Sequence, residues 1–235
     1  MNIILLNEGE TFLPSSDDRA KHIRKILHMG VGDSFRAGII NGYEGNARIT
    51  ASDEKGITID FTPTKDSSGL YPLTMIIAQV RPICMRRILR ETVSLGVSHL
   101  ILPVSDLGEK SYLEASLYTK GEYKDILLDG AMQAGATGVS RVSIVKNVEE
   151  AVASADGDVH ILLDNAVGAT PLSRENLEGK SVVLAIGPER GWSGRERQYF
   201  IDNDYRPMLL GNRILRTETA AVAGAAMALA AMKLL

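Results

Sequence analysis

Val183-Leu-Ala-Ile-Gly-Pro-Glu-Arg-Gly-Trp-Ser193, followed shortly by Met208-Leu-Leu-Gly-Asn-Arg-Ile-Leu-Arg-Thr-Glu-Thr-Ala220, is the stretch on which the fold turns. Val183–Ile186 is a short apolar run with strand character, and it breaks at Gly187-Pro188. Gly187 and Gly191 let backbone approach a ligand closely, while Pro188 stiffens the loop between them. Ser193 with Glu196 three residues later is a capping-box pattern, which starts a helix. In the second segment Arg213 and Arg216 flank Ile214-Leu215, and Thr217-Glu218-Thr219 opens an alanine-rich helix. Apolar residues among charges imply a segment that covers something. Each loop also has a plainer reading, as a strand-to-helix connection or as surface arginines beside a first-turn acid. Neither is a dinucleotide fingerprint or a P-loop, since Gly-x-Gly-x-x-Gly and Gly-Lys-Ser/Thr are absent.

Working outward, short apolar strands alternate with helices from about residue 70 to the end. Strands are expected at Leu73–Gln79, His99–Pro103, Val142–Val145, His160–Leu163, Val182–Ile186 and Arg206–Leu210. Helices are expected at Cys84–Leu95, Lys120–Ala134, Val148–Ala155, from Ser193, and at the C-terminus. That rhythm predicts an α/β domain with a largely parallel sheet. Ligands in such sheets bind beyond the carboxyl ends of strands, and Leu163-Asp164 is a third such end. The first sixty-odd residues read differently. Met1–Leu6 and Ile57–Phe61 have strand character, glycines punctuate the turns, and one helix runs from Asp18 through Ala20, Ile23, Ile26 and Leu27 towards Met29-Gly30. A small β-barrel is expected there, joined by a linker from Pro63 to Pro72. The domains are placed at 1–69 and 70–235.

Composition narrows the function. Of 235 residues 45% are hydrophobic and 23% charged, enough apolar surface for a sizeable core and against disorder. The single cysteine, Cys84, excludes a disulfide framework and a cysteine zinc cage. His22, His28, His99 and His160 lack ligand spacing, so no metal is expected. Met1–Leu6 has no basic n-region before a long apolar run, so a cytoplasmic protein is expected. Ala220–Met232 is apolar but shorter than the roughly 20 residues of a spanning helix. Its small side chains suit a core or subunit-interface helix, and a homodimer without membrane contact is expected. The net charge of −3 means that nucleic-acid binding must rest on local patches. One is Arg19, Lys21, His22, Arg24 and Lys25; another is Arg81, Arg86, Arg87 and Arg90. Either alone also reads as a solvated charged face.

Taken as a pair, the two C-terminal segments closely resemble the SPOUT superfamily of knotted RNA methyltransferases. Within it, the chain is similar to the family that methylates N3 of a uridine in small-subunit (16S) ribosomal RNA. The resemblance spans nearly the whole chain, because Asp18–Leu27 followed by Gly32-Asp33 is similar to that family's PUA-like β-barrel. It implies a trefoil-knotted domain in which the segment after Leu210 tucks through a loop. It implies S-adenosylmethionine bent across Leu163 and Asp164, across Gly187, Pro188 and Gly191, and across Leu210, Gly211, Ile214, Leu215 and Thr217. A dimer is implied, acting on ribosomal RNA or an assembled small subunit. Methylation at N3 needs loss of the imide proton and stabilisation of charge on the uracil oxygens. Arg216 is the candidate for the charge, and Glu218 and Glu189 are candidates for proton acceptor or base-orienting group. RNA contacts fall to Arg19, Lys21, His22, Arg24, Lys25 and Arg86. The chain departs from the family at Arg190, where glycine is usual, and at Lys25, His28 and Lys110, where arginine is. It also lacks the arginine usual after Ala131-Met-Gln133. Two other readings stay open: a SPOUT enzyme for a different ribosomal or transfer-RNA nucleotide, and a non-catalytic knotted RNA-binding protein.

Overall fold

The computed structural model describes residues 2–67, 69–165 and 169–235. The chain divides into two compact units: Met1–Gly69 with Leu128–Val139, and Leu70–Leu127 with Ser140–Leu235. The expected first strand and linker therefore lie within the description except for Met1 and Ser68.

The first unit holds β1 (Ile4–Leu6), β2 (Phe12–Pro14), α1 (Asp18–Lys25), β3 (Ser34–Ile39), β4 (Glu44–Ser52) and β5 (Gly56–Lys65). They form a five-stranded sheet in the order β1-β3-β4-β5-β2. Alternate residues such as Ala47 and Ile49 of β4, or Ile57 and Ile59 of β5, turn inward onto Ala20 and Ile23 of α1. Strand β5 runs on to Lys65, so the linker is shorter than Pro63 to Pro72. A register shift between Glu44 and Gly45 admits Pro63, which has no N–H to give to a ladder. Gly45 is obligatory there, since a Cβ would lie 2.1 Å from the Thr62 carbonyl oxygen. Helix α1 also ends earlier than its apolar spacing suggests. The Ile26 and Leu27 N–H groups both close on the His22 carbonyl, and His28 turns left-handed at φ 53°, leaving Ile26 and Leu27 exposed.

Residues 128–139 join this unit through hydrogen bonds that sequence spacing does not reveal. The Asn2 N–H donates to the Met132 carbonyl at 2.9 Å, and the buried Thr137 hydroxyl donates to the Gly42 carbonyl at 2.9 Å. Asn41 completes the join, donating its N–H to the Thr137 carbonyl and accepting the Val139 N–H.

The second unit comprises β6 (Tyr71–Ile77), α2 (Pro82–Ser94), β7 (Val97–Pro103), α3 (Ser116–Thr119), β8 (Arg141–Val145), α5 (Val148–Ser154), β9 (Val159–Leu163), β10 (Thr170–Pro171), β11 (Val182–Ile186), α6 (Gly194–Asp202), β12 (Arg206–Leu209) and α7 (Thr217–Ala231), while α4 (Tyr123–Ala134) spans the division. The strands form one parallel sheet in the order β10-β12-β9-β11-β6-β7-β8. The expected α/β class is the one observed. β11 is buried at every residue and paired on both edges, as its unbroken Val-Val-Leu-Ala-Ile sequence requires. Among the described residues no helix is long and apolar enough to cross a membrane.

The alanine stripe of α7 takes the first of its two expected places, the core. Ala221, Gly224, Ala225 and Ala228 are buried within the single chain. A Cβ on Gly224 would sit 2.7 Å from Leu163 Cδ1 and 3.1 Å from Leu184 Cδ2, so small residues let α7 lie tight on the sheet.

Arg19 is the electrostatic centre of the first unit. Its guanidinium donates to Glu10 at 2.7 and 2.8 Å, to Asp17 at 2.7 Å and to the Leu5 carbonyl at 2.7 Å. Burial raises the Glu10 carboxyl, but the Arg19 hydrogen bonds and charge leave it below its ordinary 4.5. For Asp17 the Arg19 hydrogen bond dominates and holds the group below 3.8. Lowered carboxyls contribute stability above their unfolded values and lose it as pH falls through the folded ones. Arg19→Met is therefore expected to lower the melting temperature at pH 7 and to shrink the further loss between about pH 5 and pH 3. Thermal melts across that range check this, and an acid limb identical to the wild type's refutes it.

Candidate active site

Parallel pairing lines up three carboxyl ends. Ile186 of β11 registers with Leu163 of β9, and Leu163 with Met208 of β12. The loops leaving those ends enclose a cavity of about 170 Å³. From β9 come Leu163, Asp164 and Asn165; from β11 come Gly187, Pro188, Glu189, Gly191 and Trp192; from β12 come Leu210, Arg213, Ile214, Leu215 and Thr217. Of the residues expected to hold a cofactor, only Gly211 is not among the lining residues. Arg197, Met208 and Ala220 line it as well and were not anticipated. Arg197 had one sequence signal, its place one turn into the helix after the glycine loop. Its partner lies 33 residues away, beyond the reach of any spacing rule.

Local hydrogen bonds make the loops rigid. The Gly191 N–H donates to the Pro188 carbonyl at 2.9 Å, closing a β-turn. The two glycines also meet local needs of the loop. A Cβ on Gly187 would lie 3.1 Å from the Trp192 nitrogen, so Gly187 lets the loop fold onto itself. Nothing lies within 4 Å of a Cβ on Gly191, whose φ of +72° is what favours glycine. The capping box forms as expected: Ser193 Oγ accepts the Glu196 N–H at 3.1 Å, and Glu196 Oε2 accepts the Ser193 N–H at 2.9 Å. Glu196, 1% exposed, also accepts the Asp106 N–H at 2.8 Å. Asp106 is bound to Arg195 and Ser193, which together hold its carboxyl below the ordinary range. The Thr217 hydroxyl donates to the Gly187 carbonyl at 3.2 Å, tying the third loop to the second.

Two of the three candidate catalytic residues stand apart from this lining. Arg216 is exposed at the N-cap of α7, and neither it nor Glu218 lines the cavity. Glu218 faces Cys84 of α2; burial and that carboxylate push the thiol up, keeping it protonated. Glu189 lines the cavity and accepts the Arg81 N–H at a long 3.4 Å.

Most of the side chains expected to contact RNA have partners within the chain. Arg19 is enclosed by its carboxylates, so its charge serves the fold. His22 is half-buried and burial lowers its pKa, which leaves a neutral ring in place of a cation. Arg24 donates to the Asp53 and Gly56 carbonyls at 2.6 Å, holding the β4–β5 turn. Lys21 pairs with Asp18 and Arg86 with Glu122. Lys25 is exposed.

The cavity lies beyond the carboxyl ends of a parallel sheet, the place where open α/β folds bind their ligands. Residues 67–230 match the family described as RNA methyltransferase domain, and residues 16–62 match the RNA methyltransferase PUA domain. The chain is 37% identical to ribosomal RNA small subunit methyltransferase E of Treponema pallidum (strain Nichols), over 98% of this chain and 91% of the relative. It is 30% identical to ribosomal RNA small subunit methyltransferase E 1 of Borreliella burgdorferi, over 95% of each. The solved ribosomal RNA small subunit methyltransferase E of Neisseria gonorrhoeae, bound to S-adenosyl methionine, superposes with a TM-score of 0.78 at 22% identity, covering 98% of this chain and 97% of that one. The chain belongs to the RNA methyltransferase family, in the branch of the small-subunit ribosomal RNA methyltransferases E.

Gly191→Val places a β-branched residue at positive φ, expected to cost about 1–2 kcal/mol or more. A lower melting temperature with unchanged secondary structure checks this; a melt equal to wild type shows that the turn is not strained.

Proposed function

We propose that this chain transfers the methyl group of S-adenosylmethionine to N3 of a uridine in 16S ribosomal RNA of the small subunit. The observation that carries the reading is the convergence of three strand-end loops on one cavity in a chain of this family. The lining suits the cofactor chemically. Leu163, Pro188, Leu210, Ile214 and Leu215 offer apolar walls for an adenine ring, and the tight loops offer backbone N–H and C=O groups for its edge. Asp164 offers an acceptor. Bound S-adenosylmethionine supplies a methyl group on a positively charged sulfur, open to attack by a nitrogen nucleophile.

The chain's own residues do the rest. Glu218 or Glu189 takes the imide proton or orients the base. Arg216 stabilises the negative charge that develops on the uracil oxygens, an interaction strongest in the transition state. Cys84, held as a thiol, is not a nucleophile here. RNA affinity rests on phosphate contacts from Lys21, Lys25 and further exposed cations. The reading includes the knot formed by the 210–217 segment, a cytoplasmic homodimer, and ribosomal RNA as substrate, naked or within the small subunit.

Turnover with 16S RNA and with small subunits, read by nucleoside mass mapping, tests it. Arg216→Ala should lower turnover by roughly 10²-fold with little change in S-adenosylmethionine affinity. Lys21→Ala/Lys25→Ala should weaken RNA binding and flatten its salt slope by about 2, sparing turnover at saturating RNA. N3-methyluridine retained at every site in a strain lacking the protein would overturn the assignment.

The dimer has its own test. Ala225 and Ala228 are interior, so the partner-facing candidates on α7 are the half-buried Ala223 and exposed Ala230. Ala223→Arg and Ala230→Arg should shift sedimentation from dimer towards monomer. A wild type that is monomeric at micromolar concentration refutes the dimer.

A further inference from the structure

Asp164 is one half of an ion pair on the cavity wall whose other half, Arg197, has no role in the chemistry so far. Asp164 follows β9, and its N–H donates to the Met208 carbonyl at 3.2 Å, so its backbone is fixed between two strands. Its side chain is 11% exposed, and Arg197 Nε donates to Oδ2 at 2.7 Å. Arg197 Nη2 also reaches towards the Trp192 carbonyl at 3.5 Å. The arginine is itself well placed. Its N–H donates to the Ser193 carbonyl at 2.9 Å, in the turn that the Ser193–Glu196 capping box secures. With Oδ2 engaged, Oδ1 has no donor among the described residues. On a side chain this little exposed, lining a cavity, that oxygen is open to a donor that a ligand brings.

We infer that Asp164 Oδ1 accepts from the ribose hydroxyls of the cofactor, and that Arg197 is a positioning residue acting through Asp164. The inference rests on the methyltransferase reading. S-adenosylmethionine brings three kinds of hydrogen donor: the ribose diol, the α-ammonium and the adenine amino group. The guanidinium 2.7 Å away already compensates the carboxylate's charge, and a second cation beside it meets like-charge repulsion. A compensated carboxylate with one open oxygen suits a neutral hydroxyl better than an ammonium. The adenine amino group is left to the backbone edges of the two glycine-bearing loops. Because both substrate and product carry the same ribose, Asp164 should hold S-adenosylmethionine and S-adenosylhomocysteine equally.

Calorimetry on the full-length protein with S-adenosylmethionine, S-adenosylhomocysteine and 5′-methylthioadenosine, which lacks the amino-acid portion, tests this. Asp164→Ala should weaken all three by a similar factor, about tenfold or more. Arg197→Met should weaken all three by about three- to tenfold, with Arg197→Lys recovering most of the loss. Asp164→Ala/Arg197→Met should bind no more weakly than Asp164→Ala alone, the non-additivity of residues acting as a unit. Melting curves, with Asp164→Asn as a second variant, separate binding losses from unfolding. If Asp164→Ala spares 5′-methylthioadenosine while weakening the other two, the carboxylate meets the ammonium and the inference fails. Additive losses in the double variant overturn the positioning role of Arg197. A wild type that binds none of the three ligands defeats the methyltransferase reading itself, and the inference with it.

Discussion

Two-sided burial of β11 is the constraint from which the site follows. Every residue of Val182–Ile186 is buried, and the strand pairs with β6 on one edge and β9 on the other. A polar side chain in those positions would need a partner that the surrounding aliphatic groups lack. The first place where the chain can turn, and where polar backbone can face a ligand, is therefore Gly187. Parallel pairing then does the assembling. Because neighbouring strands share a direction, the ends of β9 and β12 arrive beside the end of β11, and their loops meet over one volume.

What makes that volume a prepared site is a set of short-range bonds, each modest alone. The Pro188–Gly191 turn, the Ser193–Glu196 capping box, the Thr217 bond to Gly187 and the Asp164–Arg197 pair all act on loop backbone or loop side chains. Loops fixed in this way need little reordering when a ligand enters, so interaction energy is not consumed in arranging the site. Apolar and backbone groups dominate the wall, whereas Arg216 lies outside it and exposed.

Charge in the first unit follows a different logic. Arg19, Lys21, His22, Arg24 and Lys25 read along the chain as one basic surface, yet the fold uses most of it internally. Arg19 joins Glu10 and Asp17 to the Leu5 carbonyl, Arg24 secures the turn after β4, and His22 is half-buried. On α1, Arg19 and His22 sit beside the buried Ala20 and Ile23, so polar side chains near the core become structural. The exposed remainder is smaller than a count of cations suggests.

The amino-acid sequence by itself determined the α/β alternation, the strand ends at Leu163 and Ile186 and, within one residue, at Leu209, and the capping box after Gly191. These are local: strand runs, helix caps and glycine turns depend on neighbours within about one helical turn. Nearly all the residues expected to hold a cofactor line the cavity for the same reason, since they sit on the loops that those ends must produce. Tertiary structure alone decided the rest. Pairing of Asp164 with Arg197, burial of Ala225 and Ala228 on the inner face of α7, capture of residues 128–139 by the first unit, and the enclosure of Arg19 all join residues distant in the chain or sort equivalent side chains into buried and exposed. No periodicity encodes those outcomes, because they depend on which surfaces meet after the elements have formed.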